Sequence, residues 1–303
     1  MSELLTVFGA TGAQGLPVVQ QAKLNGLRIR AVSRSVEGAA HNAAPAPSSP
    51  SVHERAAADF NDPASLMRAL EGAAGAFVHL PIATSPDQPQ RFLSNLLEAC
   101  EAASLPLLVF STSGPAHPSY RSSPLINANR MLTQALLSSR TPTIVLQPTI
   151  YLENLDVGLF VPRLDTEGVL DYPPAQPDQP VVWTSHHDQA IVAVAALKQP
   201  QHAGRAYAIG SPGPVNGLEL ANVLSRTRGR PIRFESISAK QFGQRVAAAL
   251  KNPGLEFLRA DMYEACSEIP AHQLTVESAE TAHIFGVKLM TATERILTTR
   301  RPG

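Results

Sequence analysis

Short apolar runs alternate with amphipathic stretches along the first half of the chain. The runs have the length of buried strands, and the stretches repeat their apolar residues at the three- and four-residue spacing of a helix. Strands are therefore predicted at residues 4–8, 28–33, 55–58, 76–80, 107–111 and 143–146. Helices are predicted between them at 14–24, 63–70, 88–103 and 125–137. This alternation predicts an α/β fold, a doubly wound parallel sheet with helices on both faces.

The second half is less regular. It predicts helices at 186–197 and 218–226 and strands at 206–209 and 232–236, with a proline-rich section at 172–180. We interpret residues 151–303 as a smaller α+β lid region over the carboxyl ends of the sheet, where open α/β folds bind ligands. Residues 1–150 then form the larger domain, and residues 186–210 are expected to return to it. The Ala-, Pro- and Ser-rich stretch at 37–51 predicts a long mobile loop.

The first strand leads directly into three glycines spaced three apart, in the sequence GATGAQG at residues 9–15. Gly9 would allow a tight turn, Gly12 would let a pyrophosphate approach the backbone, and Gly15 would let the following helix pack on the strand. The phosphates would then lie at the N–H groups and positive dipole of that helix. The commonest fingerprint is G-x-G-x-x-G, but the position between a strand and a helix favours a Rossmann dinucleotide site over an ordinary glycine loop.

Composition narrows the classes of function. The 303 residues carry a formal net charge of zero, which removes the electrostatic case for nucleic acid or an anionic membrane as a partner. Neither a membrane-spanning apolar run nor a signal pattern is evident, so a cytoplasmic protein is expected. Cys100 and Cys266 have no metal or redox spacing and are interpreted as structural thiols, with no metal site.

Several segments together resemble one known family. The run TVFGATGAQG, followed by RIRAVSRS, is similar to the NmrA-like group of atypical short-chain dehydrogenase/reductases. The resemblance continues in order through AADFNDPASLMRAL, LVFSTSG, TIVLQPTIYLENL and YAIGSPGPVNGLELANVLSRTRGRPI. It implies a Rossmann domain that binds a nicotinamide dinucleotide and acts on a small-molecule substrate.

The end of the second strand indicates which dinucleotide is preferred. Arg34 follows Ser33 where the adenosine ribose is recognised, and no acidic residue occurs before Glu37. An acidic residue there accepts a hydrogen bond from the 2′-hydroxyl of NAD, whereas an arginine suits the 2′-phosphate of NADP. NADP(H) is therefore favoured over NAD(H). The alternative is that Arg34 is a solvated surface residue.

Other cofactor contacts follow from topology and from the resemblance. Leu80-Pro81 and Ser111-Thr112 end strands that border the same crevice, although ordinary strand-end residues are an equal alternative. The resemblance places Asp59-Phe60 beside the adenine. The residues expected at the cofactor are Gly9, Thr11, Gly12, Ala13, Gln14, Gly15, Ser33, Arg34, Asp59, Phe60, Leu80, Pro81, Ser111, Thr112, Asn129 and Pro148.

This chain departs from many short-chain dehydrogenases at two catalytic positions. Many short-chain dehydrogenases use a tyrosine four residues before a lysine to protonate a carbonyl oxygen. Those positions fall here on Leu125 and Asn129, and no lysine occurs between Lys23 and Lys198. Asn129 can hydrogen-bond a ribose hydroxyl but cannot lower the pKa of a phenol by its charge.

Two functions remain open. In the first, the protein is an NADPH-dependent oxidoreductase whose acceptor needs little acid assistance, such as a quinone, an enone or a cationic dye. In the second, it is a non-enzymatic NADP(H) sensor that acts through a protein partner. Neither reading decides between a monomer and a homo-oligomer.

Three residues are candidate proton donors for the first reading. Tyr151 follows the sixth strand, and Tyr120 and His117 lie in the loop after Ser111-Thr112-Ser113. Each residue type occurs more often in loops or packing than as a catalytic acid. His186-His187 is interpreted as a helix-capping and surface pair, because no third ligand is spaced for a metal.

Overall fold

The computed structural model describes residues 3–34, 52–83, 85, 87–173, 176–252 and 255–299. Its central sheet has seven strands, all parallel, in the order β3-β2-β1-β4-β5-β6-β10. The predicted doubly wound α/β fold is therefore confirmed. These strands are β1 (Leu4–Phe8), β2 (Arg28–Ser33), β3 (Glu54–Ala57), β4 (Gly75–His79), β5 (Leu108–Ser111), β6 (Thr143–Pro148) and β10 (Arg205–Ile209).

The helices of the first half agree with the predicted bounds within a few residues. Two of them begin at a side-chain cap: the Asp62 side chain accepts from Ala64 N, and Ser123 accepts from Ile126 N. Proline follows both caps at the first helical position. These helices are α1 (Gly15–Leu24), α2 (Pro63–Leu70), α3 (Gln88–Ala102) and α4 (Pro124–Leu137).

Two apolar layers hold the sheet between helices. The layer on one face combines α1 with α6 (His186–Leu197) and α10 (Ala271–Phe285). The layer on the other face combines α2, α3 and α4. Helix α6 is buried almost all round and packs against α1, and β10 pairs in parallel with β6. Residues of 186–210 thus belong to the central sheet and its covering layer.

The remaining elements form a third apolar cluster at the carboxyl edge of the sheet. Two small parallel sheets, β8–β11 and β7–β9, lie in this region. Buried rings fill its core, with Tyr172 lying 5.0 Å from Phe242 and 5.7 Å from Trp183 between ring centroids. We call these elements the lid. They are β7 (Ile150–Tyr151), a 3₁₀ turn at Leu152–Asp156, α5 (Pro162–Glu167), β8 (Val169–Tyr172), β9 (Trp183–Thr184), α7 (Gly217–Arg228), β11 (Arg233–Ser236), α8 (Ala239–Ala249), α9 (Leu255–Glu268) and α11 (Ala292–Thr298).

The stretch 37–51, for which a mobile loop is predicted, lies outside the described residues.

Among the residues that are described, no helix is both long and apolar enough to cross a bilayer.

Candidate active site

The glycine loop lies at the point where the strand order reverses. Strand β1 pairs with β2 on one side and β4 on the other, so the loop after β1 opens at the carboxyl edge between them. Gly9 has φ +61°, in the left-handed region, and its carbonyl accepts a hydrogen bond from Gly12 N at 2.8 Å. A Cβ on Gly15 would lie 2.2 Å from Gly9 O, so only glycine permits this close approach of helix and turn.

The start of α1 is suited to an anion. The helix has no side-chain cap and no acidic residue in its first turn, so its N–H groups are not covered by a carboxylate. Gly12 is exposed, and the nearest atom to a Cβ built there would be Gly9 O at 3.2 Å. An uncapped helix start behind exposed glycine backbone fits a pyrophosphate.

His79 closes the opposite wall of the loop. A Cβ on Gly9 would meet His79 Nε2 at 2.7 Å, and this nitrogen is buried without a hydrogen-bond partner among the described residues. Burial lowers the pKa of His79, although a bond between Nδ1 and Leu80 O opposes the shift. The imidazole is therefore neutral at pH 7, and its unpaired ring nitrogen faces the glycine loop.

The positions expected at the adenosine end lie at the ends of β2, β3 and β4. Ser33 ends β2 opposite Ala57, and Arg34 is exposed and has no ion pair within the described ranges. Asp59 is exposed, whereas the Phe60 ring packs between Phe8 and Phe92 at 5.8 and 5.6 Å. At the end of β4, Leu80 is half-buried and Pro81 is exposed.

The side chain of Gln14 joins the glycine loop to three other elements. Its Oε1 lies 3.0 Å from the Tyr151 hydroxyl and accepts from Gln189 Nε2 at 3.2 Å. Its Nε2 donates to Ser113 Oγ at 3.1 Å, and Ser111 Oγ donates to Gln189 Oε1 at 2.9 Å. The ends of β5 and β7 and the first turn of α6 are thus linked to the glycine loop by one partly buried network.

Tyr151 is held in this network as a neutral phenol. Its hydroxyl also lies 2.6 Å from Gln189 Oε1, and its side chain is buried. Burial raises the pKa of Tyr151, and the Glu153 charge raises it further, while the bonds to Ser111 and Gln189 oppose the shift. A phenol with a raised pKa is a weaker proton donor at neutral pH.

The loop after β5 carries the strain of the site. Ser113 has φ +58°, an unfavourable value for a residue with a side chain, and its N–H donates to Ser111 Oγ at 3.1 Å. Thr112 Oγ1 donates to Gly114 O at 2.7 Å. Asn129, on α4, donates from Nδ2 to Pro115 O at 3.0 Å. Asn129 therefore fixes this loop from α4. Pro148 is the last residue of β6, the strand next to β5 in the sheet.

Tyr120 and His117 occupy other surroundings. Tyr120 is buried in the apolar core of the lid, where burial raises its pKa well above the usual range. His117 Nε2 pairs with Glu277 Oε2 at 2.6 Å and lines a cavity of about 730 Å³ between α4 and α10. Burial lowers the pKa of His117, with Glu277 opposing and Arg130 adding to the shift. No described hydrogen bond links either side chain to Gln14 or Tyr151.

The interpretation of His186 as a surface capping residue is wrong. The cap of α6 is Ser185, whose Oγ accepts from Asp188 N at 3.0 Å. His186 is buried and packs its ring on Tyr151, with 4.3 Å between ring centroids. Sequence reasoning missed it because the apolar neighbours that bury this helix start are distant in sequence. Gln189 was missed for the same reason, although its position directly before the apolar run 190–197 was a signal.

The thiols and histidines give no sign of a metal centre. Burial raises the pKa of both Cys100 and Cys266 to about 12, which makes them unreactive thiols. Among the described residues no group of three or more His, Cys, Asp or Glu side chains could hold a metal ion.

Comparison with known proteins gives one family. A sequence model of the NmrA-like family matches residues 1–257. An NAD(P)H azoreductase of Xenophilus azovorans is 30% identical over 244 residues, which are 80% of this chain and 79% of that protein. An NADPH-dependent quinone oxidoreductase from Escherichia coli, complexed with NADPH, superposes with a TM-score of 0.75 at 19% identity and covers 97% of this chain and 99% of that one. Triphenylmethane reductase from Citrobacter sp., complexed with NADP(H), has a TM-score of 0.75 at 21% identity and the same coverages. The two structural likenesses establish a shared fold.

Proposed function

Because this chain belongs to the NmrA-like family, as its motifs predicted, we propose that it is an NADPH-dependent oxidoreductase with a small, already electrophilic acceptor. The observation that supports this proposal most directly is the Gln14 network. It connects an uncapped, glycine-lined helix start to polar side chains at the ends of β5 and β7. A ligand that spans these positions would extend along the carboxyl edge of the sheet, as a dinucleotide does.

The cofactor would supply the hydride, and the chain would bind and orient it. In this proposal the backbone at Gly12 and the start of α1 hold the pyrophosphate. Arg34 pairs with the 2′-phosphate, and Asn129 supports the loop from which Ser113 faces the ribose and nicotinamide end. The NAD(P)H azoreductase relative, at 30% identity, is consistent with a nicotinamide cofactor here.

The acceptor class follows from the absence of a positive charge at position 129. A simple ketone needs its oxygen protonated as hydride arrives, and the neutral amide of Asn129 cannot activate a phenol for that task. Quinones, enones, azo compounds and cationic dyes already have low-lying acceptor orbitals, so hydride transfer proceeds without such activation. The relative that reduces azo compounds and the structural neighbours that reduce quinones and triphenylmethane dyes support this class.

The experiment is to follow NADPH oxidation at 340 nm with a panel of quinones, enones, azo dyes and triphenylmethane dyes, with simple ketones as the control. We expect turnover of at least one electrophilic acceptor and no measurable turnover of the ketones. Tight NADPH binding without oxidation by any acceptor would replace this proposal with the sensor function. Turnover of ketones would show that a strong acid operates in the site.

A further inference from the structure

We propose that His186 protonates the reduced acceptor and that Glu153 returns the proton to His186 from a solvent-filled cavity behind it. This inference rests on the proposed function, because it supplies the proton that must accompany the hydride. It assigns a role to the buried His186 and the half-buried Glu153, which cofactor binding leaves unused.

His186 lies at the same site as the glycine loop. Its ring packs on Tyr151, whose hydroxyl contacts Gln14 of that loop. Its pKa is lowered to about 4, first by burial and then by the nearby His79, whose Nε2 lies 2.7 Å from the position that a Cβ on Gly9 would take. His186 is therefore neutral at physiological pH and carries one ring proton to give.

Glu153 lies directly behind His186. Its Oε1 accepts a hydrogen bond from His186 N at 2.9 Å, which fixes the carboxyl group against the start of α6. Its Oε2 is 3.6 Å from His186 Nδ1, and this buried oxygen has no hydrogen-bond partner within the described residues. An unpaired carboxyl oxygen next to a ring nitrogen is placed to pass a proton, and catalytic bonds are often longer before a substrate binds.

Glu153 also lines a cavity of about 570 Å³ between the 3₁₀ turn, α7 and α11. The cavity opens to solvent at Asp165, whose side chain is 72% exposed. Burial raises the pKa of Glu153 to about 7, with Asp156 adding to the shift and the backbone bonds and Arg295 opposing it. The carboxyl group can thus take up and release a proton near neutral pH.

The charged groups around the pair belong to several elements. Arg295 on α11 and Asp156 on the 3₁₀ turn act on Glu153, and Arg228 and Arg230 lie across the cavity with Asp165. His79 is the group that faces His186 from the sheet. The two arginines are engaged with Asp165, so Glu153 is the carboxyl group that extends from this cavity to the buried site.

The proton balance is simple. Bound NADPH would supply the acceptor with a hydride, which is two electrons and one proton equivalent, and the product of that transfer is an anion such as a hydroquinone monoanion. His186 gives that anion the proton of its Nε2 while Nδ1 takes a proton from the Glu153 carboxyl group. Water in the cavity then reprotonates the Glu153 carboxylate, and exchange of the ring proton from Nδ1 to Nε2 through solvent restores the starting tautomer of His186. The sum is one NADPH, one proton and one acceptor, converted to NADP⁺ and the reduced product.

The test compares kcat against pH for the NADPH-loaded protein with a 1,4-benzoquinone as the acceptor. In the unmodified protein, kcat should fall as pH rises through about 7, where Glu153 loses its proton. His186→Asn should lower kcat roughly ten- to a hundredfold, because the proton follows hydride transfer to an acceptor that needs little acid assistance. Glu153→Gln should lower kcat about tenfold and abolish the fall near pH 7. His187→Asn, on the same helical turn, is the matched control and should change kcat less than twofold.

A second measurement does not depend on turnover. The carboxyl carbon-13 resonance of Glu153 should titrate near pH 7 in the unmodified protein. Unchanged kcat in His186→Asn, or a pH profile that survives Glu153→Gln, would overturn the relay while leaving the oxidoreductase intact. A carboxyl group that titrates at its ordinary value would also overturn it. Absence of turnover with every acceptor would refute the proposed function itself.

Discussion

The Tyr151 hydroxyl lies 3.0 Å from Oε1 of Gln14, across a separation of 137 residues. This contact ties strand β7 of the lid to the loop that would hold the pyrophosphate. A substitution of either residue should therefore affect the binding of both the acceptor and the cofactor.

Gly12→Val should abolish NADPH binding while the protein stays folded. The added side chain would occupy the exposed face of the loop, where its Cβ would already lie 3.2 Å from Gly9 O. Isothermal titration and circular dichroism measure the two quantities. Gly158→Val is the matched control, because Gly158 is exposed and no atom lies within 4 Å of its Cβ position. An unchanged NADPH affinity in Gly12→Val would remove the dinucleotide site from this loop.

Arg34→Ala should weaken NADPH binding roughly 10- to 150-fold and leave NADH binding nearly unchanged. A charge-assisted bond to phosphate contributes about 1.5–3 kcal/mol, and NADH has no 2′-phosphate to form it. Dissociation constants for both cofactors provide the comparison. Arg226→Ala, which removes another exposed arginine on α7, should affect neither cofactor. Equal loss for both cofactors would mean that Arg34 does not recognise the phosphate.

Asn129→Ala should lower kcat/KM by ten- to a hundredfold, or roughly 1.4–2.8 kcal/mol. The amide holds the strained loop at Pro115 O, and without it the residues after β5 lose their fixed position. Asn127→Ala is the control on the same helix. It removes the bond from Asn127 Nδ2 to Ser122 Oγ and should leave kcat/KM nearly unchanged. If Asn129→Ala retained full kcat/KM, position 129 would have no part in the reaction.

Tyr151→Phe should cost less than tenfold in kcat and about 1 kcal/mol in the free energy of unfolding. The change removes one hydroxyl from the Gln14 and Gln189 network but keeps the ring on which His186 packs. Steady-state kinetics and urea unfolding measure the two effects. A loss of 10²–10⁴-fold in kcat would instead identify Tyr151 as the general acid.

Glu153→Gln should change how stability depends on pH. Burial raises the pKa of Glu153 from 4.5 to about 7, so the folded state binds this proton more tightly than the unfolded chain. The Glu153 contribution to stability is therefore largest below pH 4.5 and is lost as pH rises to about 7. The free energy of unfolding of Glu153→Gln, minus that of the unmodified protein, should therefore increase by at most about 3 kcal/mol as the pH rises through this interval.

The measurement for this last variant is the free energy of unfolding by urea between pH 4 and 8. His186 acts in the opposite direction, because its pKa is lowered to about 4 and its contribution to stability rises with pH. Both proteins contain His186, so their difference isolates Glu153. A difference that stays constant with pH would show that Glu153 ionises normally.

The sequence by itself determined the central sheet and the glycine loop. Strand and helix periods are local, and strong caps such as Ser123-Pro124 set helix starts within a residue or two. A glycine loop between a strand and a helix also carries its chemistry locally, since Gly9 and Gly15 meet across six residues. These features needed no knowledge of distant contacts.

Only the tertiary structure decided which polar side chains share the site. Gln14 and Gln189 are 175 residues apart, and Glu153 and His186 are 33 apart, so no spacing rule connects them. Burial gave His186 and Glu153 their shifted pKa values, and burial is a property of the packed lid and sheet together. The same packing placed Tyr120 in the lid core and His117 beside Glu277, because the loop after β5 folds back over α4 and α10.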